Sequence, residues 1–310
     1  MTQTVTAGPG AARRHNVRPV PAAARQRWTR RAPLLPALIF AIVVTQIPFL
    51  VTLYLSTLDW NALRPGRRAF VGPANYGQVL TDGRLRAALL NTVVLTAASV
   101  VISVLLGLGL AILLDRRFPG RGVVRTLLIT PFLVMPMAAA LLWKHAIYNP
   151  SYGLINGVVG GSTDWVSRYP MLSVVTTLVW QWTPFMMLII LAGLQSQSLE
   201  TLEAARVDGA GPWQTFTRIT LPYLRPYLEL SALLGSIYLV QTFDAVFTIT
   251  QGGPGTATTN LPYEIYLTTF RKFEYGEAAA AGVVVVLGTI VVATFALRVI
   301  SSLFRMEGAR

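Results

Sequence analysis

The chain has 310 residues, 53% of them hydrophobic and only 13% charged, with a net charge of +13 and no cysteine. An average soluble domain carries about a quarter charged residues. The composition therefore argues against a soluble enzyme and rules out a disordered chain, a disulfide framework, a thiolate nucleophile and any Cys-ligated metal. Only two histidines are present, His15 and His145. They exclude a histidine-rich metal centre and an H-E-x-x-H protease, so no metal site is expected.

Residues 1–32 come first. They hold Arg13, Arg14, Arg18, Arg25, Arg27, Arg30 and Arg31, no acid, and much Ala, Pro and Gly. This reads as a disordered, basic cytoplasmic tail. The apolar stretch behind it is too long for a signal-peptide core and lacks a clear cleavage site, so a retained span is expected. Most of the other basic residues punctuate apolar runs. That distribution fits an anionic membrane surface and no nucleic acid.

A span needs about 20 apolar residues to cross roughly 30 Å of hydrocarbon. Six stretches qualify: 33–58, 88–114, 123–144, 171–194, 226–250 and 278–303. Pro36, Pro48, Pro131, Pro136 and Pro184 interrupt the first, third and fourth, where kinks are expected. The arginine-dense tail and the short loop with Arg116, Arg117, Arg121 and Arg125 place the amino terminus inside. Six spans then return the carboxy terminus to the cytoplasm. The expected fold is an all-α integral membrane protein with a six-helix transmembrane bundle over 33–304. A short cytoplasmic end follows at 305–310. The first outside loop, with Arg64, Arg67, Arg68, Arg84 and Arg86, is unusually basic for this orientation.

Between spans four and five lies an inside segment, 195–225, too long for a passive connection. Ser198 is a predicted N-cap with Glu200 in the first turn. Leu199, Leu202 and Ala205 recur at helical spacing. Gly209 and Gly211 break that helix, Pro212 suits the start of another, and Pro222 is expected to end it. Trp213, Phe216 and Ile219 are predicted to line one face of this second, bulky helix, which would root the first to the bundle. The result is two amphipathic helices joined at a glycine turn. An interfacial helix lying on lipid would favour Lys and Arg on its polar face; Glu200, Glu203 and Asp208 against Arg206 speak against that.

Glu203-Ala204-Ala205, Asp208-Gly209-Ala210 and then Phe216, Ile219, Leu221 and Pro222 resemble the E-A-A…G-A…I-x-L-P loop of ABC importer permeases. Further stretches are similar to elements of the carbohydrate-type permeases. They are Phe70–Tyr76 (F-x-G-x-x-N-Y), Asn149-Pro150 with Gly153–Asn156 (N-P-x-x-G-L-I-N), and Phe243-Asp244 with Thr250–Pro254 (F-D…T-x-G-G-P). The set looks like the first of the two permeases of a binding-protein-dependent, maltose-like importer. Trp180–Pro184 and residues 241–267 look closest to the sorbitol and mannitol (polyol) group.

The resemblance implies a fold, partners and a role. The 198–222 loop would dock into a separate ATPase, with Glu203, Ala204, Ala205, Asp208, Gly209 and Ala210 at the contact. Partners would be a second permease, two ATP-binding subunits, an extracytoplasmic solute-binding protein, membrane lipid and a sugar or polyol, in a bacterial-type cell membrane. The chain itself would bind no cofactor and be no enzyme, ATP and Mg being used by the partner ATPase. Its own Lys144 and Lys272 follow Trp143 and Arg271, so neither completes the G-K-[ST] of a Walker A loop.

Pathway candidates follow from the span positions. Trp180, Gln181 and Trp182 sit near mid-span in the fourth helix. Tryptophan offers an apolar platform and glutamine both a donor and an acceptor, which suits hydroxyl-rich solutes. Ordinary helix packing is the other reading of these three. Gln241 is a weaker candidate. Asp244 lies near the end of span five, where a charge should face protein or water. It is either a gate or ligand contact, or a structural bond to the turn at Gly252-Gly253-Pro254. A secondary carrier or channel is the rival function, and Asp244 would be its one acid well inside a span.

Overall fold

A computed structural model of the chain describes residues 35–64, 66 and 68–305, with backbone alone for 292, 293 and 295–305. The expected tail at 1–32 and residues 306–310 lie outside the described residues. The chain divides into two units, 1–51 and 52–310. The described part of the first is one helix, α1 (Leu35–Leu55), which runs on across the boundary, contains Pro48 and buries none of its side chains. It is apolar throughout, as a lipid-facing span requires.

The second unit opens on a small cap. Strands β1 (Leu58–Trp60) and β2 (Arg68–Phe70) pair antiparallel, with Asp59 opposite Ala69. Helix α2 (Ala74–Thr81) is fastened to them by Asn75, whose amide donates to Ser56 O at 2.8 Å and Leu58 O at 2.9 Å. The Tyr76 hydroxyl meets Ser56 Oγ at 2.6 Å. The Asn-Tyr pair of the sequence element is thus a staple. Gly276 passes so close that a Cβ there would sit 1.9 Å from Leu58 O.

Helices α3 (Gly83–Asp115) and α8 (Pro170–Ser196) form the axis of this unit. The buried stripe of α3 is largely small: Ala88, Thr92, Ser99, Ser103, Gly107 and Ala111. Small side chains let two backbones approach where lipid supplies no hydrophobic drive between helices. A Cβ on Gly107 would lie 2.9 Å from Met187 N.

The expected third span is broken, not kinked. Helix α4 (Arg121–Leu133) turns by 100° into α5 (Pro136–Leu142), which a π turn extends over Trp143–Ile147. Val134 and Met135 are both extended, with ψ 134 and 133. The residue before a proline is pushed out of the helical region, and Pro136 lacks a donor. Beyond it, α6 (Leu154–Val159) and α7 (Trp165–Arg168) form a short connection. Asn156 organises it by donating to Pro150 O at 3.1 Å and Thr163 O at 2.9 Å and accepting from Trp165 Nε1 at 2.8 Å.

After α8 come α9 (Leu199–Val207) and α10 (Pro212–Thr215), then a π turn (Phe216–Thr220) and α11 (Leu221–Leu239). The second helix therefore does not end at Pro222 as expected. Pro222 falls in the first turn of α11, and the wider π turn ahead of it absorbs the missing donor. The expected fifth span, 226–250, is interrupted instead at 240–243, and a π turn at Val246–Thr250 closes the segment. Helices α12 (Leu261–Phe270) and α13 (Tyr275–Arg305) complete the unit.

Among the described residues, α1, α3 and α8 are long and apolar enough to cross a bilayer, and the bent α4–α5 pair makes a fourth if it counts as one span. Helices α11 and α13 occupy the stretches expected for spans five and six. The core has two clusters along the α3–α8–α11 axis, one around Leu95, Leu178 and Leu239 and one around Leu114, Ile190 and Leu224. A third, around Val79, Leu85 and Ala280, seats the cap.

Candidate functional site

The segment between α8 and α11 is built as a projecting elbow. Ser198 occupies the N-cap position of α9 but its side chain caps nothing. At the other end Gly209 takes φ +80, and Ala210 N donates back to Ala205 O at 2.9 Å. This is the left-handed glycine closure of a helix. Gly211 N then bonds the Gln214 side chain at 3.2 Å, starting α10.

Ala205 and, in part, Leu202 face inward, while Glu203, Ala204, Asp208 and Gly209 are exposed and Ala210 is half-buried. Sequence reasoning placed Trp213 with Phe216 and Ile219 on one face of the helix that roots the elbow. It is instead 75% exposed, and only Phe216 and Ile219 of that trio are half-buried. Leu199 and Val207 are 71% and 88% exposed. The elbow thus presents apolar knobs, Val207 and Trp213, beside two carboxylates. Val207 was missed because i, i+3 and i+4 spacing assigns residues to a face without saying which face meets the bundle.

The pathway candidates separate. Trp180 lies edge-on to Trp143 with centroids 5.7 Å apart. Trp182, two residues on and so on a different side of α8, belongs to another group. It stacks on Tyr238 at 5.4 Å and meets Phe132 at 5.5 Å and Phe185 at 5.8 Å. Tyr238 is 54% exposed. Gln181, between the two tryptophans, is buried, and its Nε2 donates to Val134 O at 3.1 Å. That carbonyl is one released by the break between α4 and α5, so the amide satisfies a buried acceptor.

Gln241 is exposed, just past the end of α11, and its side chain donates back to Ile237 O of that helix at 3.2 Å. It lies one turn beyond Tyr238. Asp244 is half-buried at the start of the short helical segment 244–250, and no hydrogen bond or ion pair holds its carboxylate among the described residues. The turn at Gly252–Pro254 does not use it. Thr258 and Thr259 side chains hold that turn at Gly253 O and Gly252 O. Phe132, Phe185 and Tyr238 were missed as partners of Trp182. The i, i+3 spacing of Trp182 and Phe185 was a signal; that of Phe132 and Tyr238 lies in tertiary packing alone.

Against known sequences, the profile of the family described as "Binding-protein-dependent transport system inner membrane component" matches residues 103–306, more than half of the chain and all of the elbow. The chain belongs to this family. A probable ABC transporter permease protein of Sinorhizobium fredii is 36% identical over 252 residues, covering 79% of this chain and 81% of its own. A trehalose/maltose transport system permease protein of Thermococcus litoralis is 33% identical over 270 residues, covering 85% and 90%. The same architecture occurs in a bacterial ABC transporter that imports alginate, with TM-score 0.75 at 21% identity, covering 90% of this chain and 97% of that one. The protein is therefore a membrane-embedded permease subunit of an ABC importer.

Proposed function

We propose that this permease carries a sugar or polyol inward, with the aromatic group around Trp182 and Tyr238 lining its path and the 198–222 elbow linking it to a separate ATPase. The stack of Trp182 on Tyr238 carries the substrate class, with the exposed Gln241 amide one turn along. Sugars and polyols offer C–H faces to aromatic rings and hydroxyls to an amide. The relatives named for trehalose and maltose support the same class.

In this reading all six stretches span the membrane and both termini lie in the cytoplasm. The partners are a second permease, two ATP-binding subunits and an extracytoplasmic solute-binding protein. A solved relative in complex with a sugar-bound periplasmic protein supports the last of these. The work is alternating access. Closure of the ATPase dimer draws on Glu203, Ala204, Ala205, Asp208, Gly209 and Ala210 and rocks the spans, and hydrolysis resets them. This chain makes and breaks no covalent bond; ATP and Mg are handled by the partner.

The test is uptake by the reconstituted assembly. Labelled maltose or trehalose, competed with sorbitol and mannitol, should enter only with ATP inside or outside according to the ATPase face. Uptake in the absence of nucleotide would overturn the reading in favour of a secondary carrier, with the unpaired Asp244 carboxylate as its coupling group.

A further inference from the structure

The first helix of the elbow, α9, is hinged at both ends. Gln197 and Ser198 are extended, with ψ 136 and 127, so α9 joins α8 through two non-helical residues. Gly209 makes a second bend. From Pro212 onward the chain is helical without a break into α11. By backbone alone, α9 joins α8 through two non-helical residues and α10 through four, 208–211, so neither helix takes up a pull on it stiffly. Yet α8 carries Trp182.

A cluster at the base of the elbow joins the two helices. Ser196 Oγ donates to Gly193 O at 2.9 Å and meets the Tyr227 hydroxyl at 2.8 Å. The Tyr223 hydroxyl donates to Ser196 O at 2.9 Å and lies 3.0 Å from Ser196 Oγ. Each hydroxyl proton has one acceptor in this arrangement, the Tyr227 proton going to Ser196 Oγ. Gly193 has no room for a side chain, because a Cβ there would lie 2.6 Å from Tyr227 Cγ. The Tyr227 ring is thus laid against the α8 backbone. Ser196 and Tyr223 are exposed, where such bonds contribute little to stability. The buried cluster at Leu191, Leu224 and Leu228 already holds these helices together.

We propose that Ser196, Tyr223 and Tyr227 are positioning residues: a clamp that makes the facing ends of α8 and α11 move as one body, so that a pull on the elbow reaches both. The proposal rests on the ATP-coupled reading above and deepens it.

The measurement is solute moved per ATP hydrolysed by the full assembly in proteoliposomes. The Tyr223→Phe/Tyr227→Phe pair keeps both rings and removes both hydroxyls. ATP hydrolysis should persist while solute per ATP falls about threefold or more, the scale of one or two modest hydrogen bonds. Ser196→Ala should do the same, and Ser196→Thr should restore the ratio.

The chain has no cysteine, so a Gly193→Cys/Tyr227→Cys pair is unique in it. The close approach of Gly193 to Tyr227 Cγ puts the two Cβ atoms within about 4 Å, a separation that a disulfide accepts. Reduced, this variant should be poorly coupled; oxidised, it should return close to the wild-type ratio. A wild-type ratio in the double Phe variant would overturn the clamp, and so would an oxidised cross-link that stops uptake, since the two ends would then have to part during the cycle. Uptake by the wild-type assembly without ATP would instead remove the coupling reading itself, and the clamp with it.

Discussion

Two connections in this permease, the loop at 250–260 and the elbow at 197–211, are of similar size and built in opposite ways. In the first, Thr250 and Thr258 share a hydrogen bond at 2.7 Å, and Asn91 of α3 donates to Thr256 O and Thr259 O at 2.8 and 3.0 Å. Asn260, 1% exposed, donates to Thr242 O and caps α12 through Tyr263 N. The elbow bonds mainly to itself and turns apolar side chains and carboxylates outward. A loop that a neighbouring helix fastens by side-chain hydrogen bonds holds a position. One that leaves Val207 and Trp213 uncovered is shaped to be gripped, since large apolar groups rarely stand exposed in company without a partner.

That contrast can be broken at either end. The largest effect on the fold should come from Asn260→Leu, which removes an N-cap and a buried donor together. A loss of about 2–4 kcal/mol is expected, read as a fall in the denaturation midpoint of the purified permease. Glu203→Lys should abolish ATP-driven uptake while shifting stability by less than about 0.5 kcal/mol, as exposed substitutions do. Normal uptake in that variant would show that the elbow is not the contact. Trp213→Ala should weaken co-purification of the ATPase subunit and leave thermal unfolding unchanged, which separates gripping from holding.

Tyr238→Ala should raise the solute concentration for half-maximal uptake roughly tenfold, the worth of one aromatic contact. Trp180→Ala, on the other side of α8, should not. The smallest effect concerns Asp164, in the connection before α8. Hydrogen bonds from the Ser167 hydroxyl and backbone hold its carboxyl below the ordinary value of 3.8. A depressed carboxyl contributes stability that is complete above its unfolded value and fades as pH falls through its native one. Being largely exposed, it should add only a slight acid-side slope. Ser167→Ala should move its NMR titration upward.

Much of the fold was legible because lipid imposes a simple demand, that every backbone polar group be satisfied inside a long apolar helix. The stretches around α1, α3 and α8 follow from it directly. Legible too were the glycine turn at Gly209 and the exposed Glu203 and Asp208. What misled was proline. Pro136 breaks a span where a kink was expected, and Pro222 fails to end a helix because a π turn precedes it. Whether a neighbour satisfies the freed carbonyl decides the outcome, and at Val134 that neighbour is Gln181, 47 positions away.

The elbow motif, the apolar runs and the absence of any Walker A loop were fixed by local order alone, because each depends on residues within a few turns of one another. The grouping of Trp182 with Phe132 and Tyr238 and the Ser196–Tyr223–Tyr227 cluster arise only when α4, α8 and α11 pack. Rotation of one helix against another is set by the small residues at their crossings, such as Gly193 and Gly107, and those contacts join positions with no fixed spacing in the chain.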